Sequence, residues 1–265
     1  MPELAEVAYF LKQWAPGLNR RVSRVRLHAG KRIFRGVDTR ELETALSGAT
    51  FKSAQSHGKQ ILYGFSGGNW LGVHLGMTGK LFNEPTPYAP DKHDHLVLEQ
   101  QGRVLVFCDP RLFGRIRFDR GKKPPAWWVA QPPSLLSDAF TLEEMRAFLL
   151  RRKRAPIKAV LLMQERFPGI GNWMADEILW RAGIHPAAEA GSLSKPRSKR
   201  LYEAVREVCR DAMEVIGTDW NDPPDSWLFN HRWVDGGRCP KTNKPLVRDQ
   251  IGGRTTCFSP SRQRL

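Results

Sequence analysis

The sequence predicts an α+β chain: a leading helix, an N-terminal all-β region of sandwich or barrel type, then a helical region that ends in a β-hairpin. Three observations predict it. Apolar residues recur at three- and four-residue steps near the N-terminus. Short alternating runs broken by Gly, Asn and Pro fill roughly residues 20–118. Helical periodicity returns after a Pro-rich stretch, and the last forty residues are basic and Gly/Pro-rich.

Taken in order, residues 2–15 read as a helix. Leu4, Val7, Phe10, Leu11 and Trp14 make its apolar face, Pro16-Gly17 stops it, and Pro2 suits a first-turn position. Strand patterns follow at Val22–Leu27, Ile61–Phe65, Trp70–Leu75, His95–Glu99, Val104–Phe107 and Ile116–Phe118. Residues 123–137, with Pro124-Pro125 and Pro132-Pro133, read as a linker between a domain over 1–122 and a second over 138–227. Thr141-Leu-Glu-Glu144 opens a helix in capping-box style. Further helices are expected over 157–165, 173–182 and 196–215. The segment 228–265 carries eight Lys/Arg against two Asp, and Gly252-Gly253 lies between two strand-like runs, which is a hairpin signal.

Composition narrows the function. The 265 residues hold 42 Lys+Arg and 27 Asp+Glu, a formal charge of +15. Such a balance is the electrostatic footprint of a nucleic-acid binder, with a merely cationic or ribosome-associated protein as the other reading. Nine Trp and 13 Phe exclude a disordered chain. No apolar run approaches the ~20 residues of a membrane span. MPELAEVAYF lacks the basic start of a secretory signal, and Cys108, Cys209, Cys239 and Cys257 do not form a disulfide scaffold. A reducing, cytoplasmic setting is expected.

Two segments carry chemistry. Without Met1, Pro2 exposes a secondary amine, which attacks a sugar C1′ and forms a Schiff base. A free α-amino group titrates near pH ~8, and a helix start lowers it further. Glu3 and Glu6 lie within a turn for proton transfer. An ordinary helix start reads the same way. The second segment, Pro168 to Pro186, is a Gly-rich turn entering a helix through Asn172, a good N-cap, and stopping at Gly183. Free N–H groups at such a start bind phosphate, although any tight helix connection shares the pattern.

The ordered set Pro2-Glu-Leu-Ala-Glu-Val, Gly58-Lys59, His74-Leu-Gly-Met-Thr-Gly, Lys92-His-Asp-His, Asp109-Pro-Arg-Leu-Phe-Gly, Ile157-Lys-Ala and Gly169 to Pro186 resembles the formamidopyrimidine-DNA glycosylase/endonuclease VIII family from end to end. The resemblance implies an N-terminal β-sandwich, a helix-two-turn-helix domain and a terminal finger. It implies a bifunctional DNA glycosylase/AP lyase acting on damaged duplex DNA as a monomer. Pro2 would be the nucleophile, Glu3 its acid/base partner, and Glu6 would sit near the extruded base. Lys59, His74, Asn172 and Arg254 would grip phosphates. Met77, Arg111 and Phe113 would fill the gap left by the flipped base and probe its partner, and Lys158 would face the active-site pocket. Extruding a base costs a few kcal/mol, which wedge side chains offset.

The chain departs from the family at three places. The family finger carries four zinc-binding Cys, whereas Cys239 is followed by Thr242, and Ser259 and Arg262 stand at the other two positions. Ser, Thr and Arg do not replace thiolates. No cofactor is therefore expected: the finger should be zincless, held by packing and the Gly252-Gly253 turn, with Arg254 at its tip. Ala5 replaces a usual Pro. Residues 218–228 are shorter than, and unlike, the family's 8-oxoguanine-covering loop, which favours a broader or pyrimidine-directed specificity. Two rival functions are a DNA-structure binder that has lost the chemistry, and an RNA-binding protein of ribosomal type. Intact Pro2, Glu3 and Lys59 oppose the first, and the β domain with Arg111 and Phe113 opposes the second.

Overall fold

A computed structural model describes residues 1–265. The chain divides into two compact units: Met1–Pro2 with Glu6–Gln131, and Glu3–Ala5 with Pro132–Leu265. No helix is long and apolar enough to cross a membrane.

The N-terminal unit carries most of α1 (Leu4–Gln13), then β1 (Val22–Leu27), a 3-10 turn (Arg32–Phe34), α2 (Thr39–Leu46), β2 (Phe51–His57), β3 (Gln60–Phe65), β4 (Asn69–His74), β5 (Lys80–Pro85), β6 (Asp94–Gln100), β7 (Arg103–Cys108), β8 (Arg115–Arg120) and α3 (Ala126–Val129). Two antiparallel four-stranded sheets, ordered β1-β6-β7-β5 and β2-β3-β4-β8, form the β-sandwich. Val25, Leu98, Leu105 and Phe107 of the first sheet share one core with Phe51, Tyr63, Leu71 and Ile116 of the second. Trp14 of the segment after α1 is fully buried there: it stacks on Tyr63 at 4.8 Å and donates its Nε1–H to the Val106 carbonyl at 3.2 Å.

Three expectations for this unit change. The first helix starts at Leu4, because Glu3 turns away to bond another segment. Strands β2 and β5 and helix α2 had no expected counterpart, since FKSAQSH and KLFNEP do not alternate cleanly and α2 presents only Leu42 and Leu46 to the core. The start of the expected linker is structured: Trp127 donates to Asp119 at 3.0 Å and lies under Arg117 at 4.4 Å.

The C-terminal unit holds α4 (Leu142–Arg151), α5 (Ile157–Leu161), α6 (Asn172–Ala182), α7 (Lys195–Asp219), β9 (Val247–Ile251) and β10 (Arg254–Phe258). Thr141 caps α4 by accepting from the Glu144 N–H at 3.2 Å. Helix α5 stops before 165 because Gln164 folds the next turn, donating to Leu162 and Ile170 carbonyls and accepting from Gly169 N–H. Ala5, Met174, Ile178, Leu201, Val205 and Val208 lie in its main core. The hairpin forms as expected, with φ of 62° and 74° at Gly252 and Gly253, the positive values a two-residue turn requires.

Candidate functional site

In the N-terminal unit, strand register gathers cations. Lys59 is half-buried in the β2–β3 turn after Gly58, and Gln60 pairs with His74 at the end of β4. His74 is pushed down to about 4 by burial first, then by the charges of Lys59, Arg117 and Arg35. The imidazole is therefore neutral at physiological pH. Its Nδ1 accepts the Gly76 N–H at 3.0 Å, which leaves Nε2–H as the donor.

Two loops beside this cluster carry the expected wedge. Asp109 is fully buried and holds both: Oδ1 accepts the Thr78 hydroxyl at 2.9 Å, and Oδ2 accepts the Gly114 N–H at 2.7 Å. Gly76 has φ +65°, and a Cβ there would meet the Phe113 carbonyl carbon at 2.4 Å, so only glycine lets the loops approach. Met77 and Phe113 emerge 39% and 41% exposed, which is solvent-facing and not core packing. Arg111 is exposed too, its guanidinium 4.9 Å from the Phe113 ring centroid. The motif alone does not reveal this role of Asp109, because a buried carboxylate's work shows only through its partners. Glu6 sits half-buried in the first turn of α1, and Pro2 is partly exposed.

In the C-terminal unit, Glu3 is 3% exposed. Its carboxylate accepts the N–H groups of Gly171 at 2.8 Å, Trp173 at 3.0 Å and Met174 at 3.1 Å. The cap of α6 is thus supplied from the far end of the chain, by a residue peptide-bonded to Pro2. This corrects the expectation of Asn172 as N-cap with free amides for phosphate: Gly171 is the N-cap position and Glu3 takes the amides. Gly171 must be glycine, since a Cβ would lie 2.3 Å from the Glu3 carboxyl carbon. Asn172 instead uses its side-chain N–H to donate to the Thr255 carbonyl at 2.9 Å, joining α6 to the hairpin on which Arg254 stands exposed.

Lys158 is also placed differently from expectation. Its side chain is fully buried, ion-paired to Asp176 Oδ1 and donating to the Asn172 carbonyl at 2.7 Å. Burial lowers its ammonium, an effect Asp176 opposes. Asp176 Oδ2 accepts from Arg232 Nη2 at 2.6 Å and from the Cys257 N–H at 3.0 Å. One carboxylate thereby ties α5, α6, the turn at Arg232 and β10 together. The sequence offered no signal for it, as Asp176 looks like an ordinary helix residue.

The finger base has no thiolate set. Cys239 and Cys257 are free and buried with Trp180, Leu228 and Leu246. Burial raises the Cys239 thiol, but donation from Thr242, Trp180, Ser259 and the Lys241 N–H outweighs it and brings it to about 7. Thr242 and Ser259 each bond the Ser261 hydroxyl, at 3.1 and 3.0 Å. Lys241 and Arg262 lie over the Trp180 ring at 4.9 and 5.3 Å. One thiol, two hydroxyls and a guanidinium do not fit tetrahedral zinc.

The N-terminal unit thus presents exposed Met77, Arg111 and Phe113, and the C-terminal unit a helix capped by Glu3 and a hairpin bearing Arg254. Residues 1–116 match the formamidopyrimidine-DNA glycosylase N-terminal domain, and residues 131–222 match the H2TH domain of the same proteins. Along its whole length the chain is 35% identical to the whole formamidopyrimidine-DNA glycosylase of Roseiflexus sp. and 34% identical to that of Solibacter usitatus. It covers all of a solved Lactococcus lactis Fpg chain, crystallised with DNA containing N7-benzyl-Fapy-dG, with a TM-score of 0.89 at 23% identity. The chain belongs to the formamidopyrimidine-DNA glycosylase family, and it is a DNA glycosylase of base-excision repair.

Proposed function

We propose that the protein binds damaged duplex DNA, excises an oxidised base through its N-terminal proline and cuts the strand at the resulting site. Removal of Met1 frees the Pro2 nitrogen, whose lone pair attacks C1′. The C1′–N bond to the base breaks, and the base leaves with a proton from a general acid. Ring opening, with loss of the amine proton, gives an iminium between Pro2 and C1′. Abstraction of a C2′ proton then expels the 3′ phosphate, and a second elimination expels the 5′ phosphate. Water releases the sugar fragment and restores the amine.

Glu3 is the acid/base partner in this reading, and the observation that carries it is the three-amide grip of α6 on the residue next to the nucleophile. Glu6 contacts the extruded base. Lys59 and the Nε2–H of neutral His74 bind phosphate, the first as a charge and the second as a donor. Asn172 retains a second side-chain N–H for a phosphate, and Arg254 adds charge from the hairpin. Met77 and Phe113 occupy the gap and Arg111 bonds the widowed base. The finger works without zinc, and the protein acts as a monomer. Phe229 is held to α6 through its N–H on Glu177 at 3.1 Å and its ring 5.0 Å from Trp173. Residues 218–228, shorter than and unlike the family's 8-oxoguanine-covering loop, support a specificity broader than 8-oxoguanine. Pro2→Gly, or an N-terminal extension that blocks the amine, should abolish strand cleavage at an abasic site; cleavage at the wild-type rate would defeat the proposal.

A further inference from the structure

The wedge loop has a partner from a distant segment that none of the roles above includes. Arg32, in the 3-10 turn after β1, donates its Nε–H to the Leu112 carbonyl at 2.8 Å. Its guanidinium also lies 4.9 Å from the Phe113 ring centroid, as close as that of Arg111. Leu112 has φ +57°, a left-handed conformation that a Leu side chain disfavours and that needs external support. The support on one side is Asp109, whose carbonyl accepts the Leu112 N–H at 3.2 Å and whose carboxylate takes Gly114. On the other side it is Arg32. Ile33 and Phe34 beside Arg32 are buried in the sandwich core, so the guanidinium projects from a rigid base. A bare Phe ring on an exposed loop samples several rotamers. One with two cations at its face and its preceding carbonyl tied down is ordered before it meets DNA.

We propose that Arg32 is a positioning residue of the wedge: it fixes Leu112 and orients Phe113 for insertion beside the flipped base, so that recognition of damage depends on it. This rests on the reading of Phe113 as a wedge. Loss of a charged hydrogen bond and a surface cation–π contact should weaken binding about tenfold, and only where the wedge inserts.

The test measures full-length protein binding to a duplex carrying a tetrahydrofuran abasic analogue and to the same duplex undamaged, for wild type, Arg32→Ala, Phe113→Ala and the double variant. A 2-aminopurine placed opposite the analogue reports insertion at saturating protein. The expected result is an approximately tenfold loss for Arg32→Ala on the damaged duplex, less than about twofold on the undamaged one, and no further loss when it is added to Phe113→Ala. The 2-aminopurine signal of wild type should shrink in Arg32→Ala even when all DNA is bound. Equal losses on both duplexes would make Arg32 a simple phosphate contact and overturn the proposal, as would additivity with Phe113→Ala. If Phe113→Ala itself leaves the preference for damage intact, the wedge reading fails first and the role of Arg32 falls with it.

Discussion

Replacing Asp176 with Asn tests the buried node of the C-terminal unit. Asp176 is 1% exposed and holds two cations, Lys158 at 0% and Arg232 at 5% exposure, together with the Cys257 N–H. Asn keeps the shape and one acceptor oxygen but removes the charge, leaving a buried ammonium and guanidinium without a counterion. Breaking a buried pair from one side costs about 3–5 kcal/mol. The second cation places Asp176→Asn at the upper end of that range. Lys158→Met should cost less, because Asp176 then keeps Arg232 and the Cys257 amide, and the methionine fills the apolar part of the site. Urea unfolding followed at the far-UV helix band reads mainly α4, α6 and α7, and gives both values. Since Arg232 and Cys257 flank the finger, Asp176→Asn should also speed proteolysis between residues 232 and 257. A loss below about 1 kcal/mol, or a Lys158→Met variant less stable than Asp176→Asn, would refute the view of this cluster as a carboxylate-centred tie.

Other outcomes follow from the same geometry. Gly171→Ala places a methyl 2.3 Å from the Glu3 carboxyl carbon, and should cost about 2 kcal/mol and most strand cleavage while leaving binding to undamaged duplex nearly intact. A Gly171→Ala enzyme of normal rate and stability would remove Glu3 from the account. His74 is held near 4 against an ordinary 6.5, so the folded state binds fewer protons than the unfolded chain across that interval. Its neutral form therefore contributes fully above pH 6.5, and that contribution is lost as pH falls to about 4, by at most about 3 kcal/mol. His74→Gln should flatten the stability profile in this window; an unchanged slope would contradict the assignment. For the finger, elemental analysis should find zinc far below one equivalent, and prolonged chelation should leave Tm unchanged. Stoichiometric metal whose removal lowers Tm would overturn the zincless reading.

Much of the framework was readable from residue patterns, and the reasons for the gaps are physical. The α6 helix, the long α7 and the Gly252-Gly253 hairpin announce themselves through periodicity and turn residues, which are local properties. The wedge role of Met77 and Phe113 comes from the family resemblance; the fold shows only that both side chains are exposed. Glu3 as the cap of α6 was not legible, because the contact joins residues 168 positions apart and replaces the cap that Asn172 suggested locally. Lys158 was expected at the active-site pocket from the family resemblance alone; its burial depends on an aspartate one helix away. Strands β2 and β5 carry no clear sequence pattern because their exposed faces hold mixed polar residues, so pairing rather than pattern fixes them.

Everything proposed for the reaction depends on the nitrogen of Pro2 forming the covalent link to the sugar. Borohydride reduction during turnover tests it most directly, on duplexes carrying an abasic site, 8-oxoguanine, a formamidopyrimidine, 5-hydroxyuracil, a hydantoin or no lesion. Protein lacking Met1 should give a stable adduct that peptide mapping assigns to residue 2, strongest with the abasic site and absent from the undamaged duplex. Its pattern over the remaining duplexes would identify the base removed. An adduct on a lysine instead, or none at all from Met1-free protein that still binds the abasic duplex, would contradict the account.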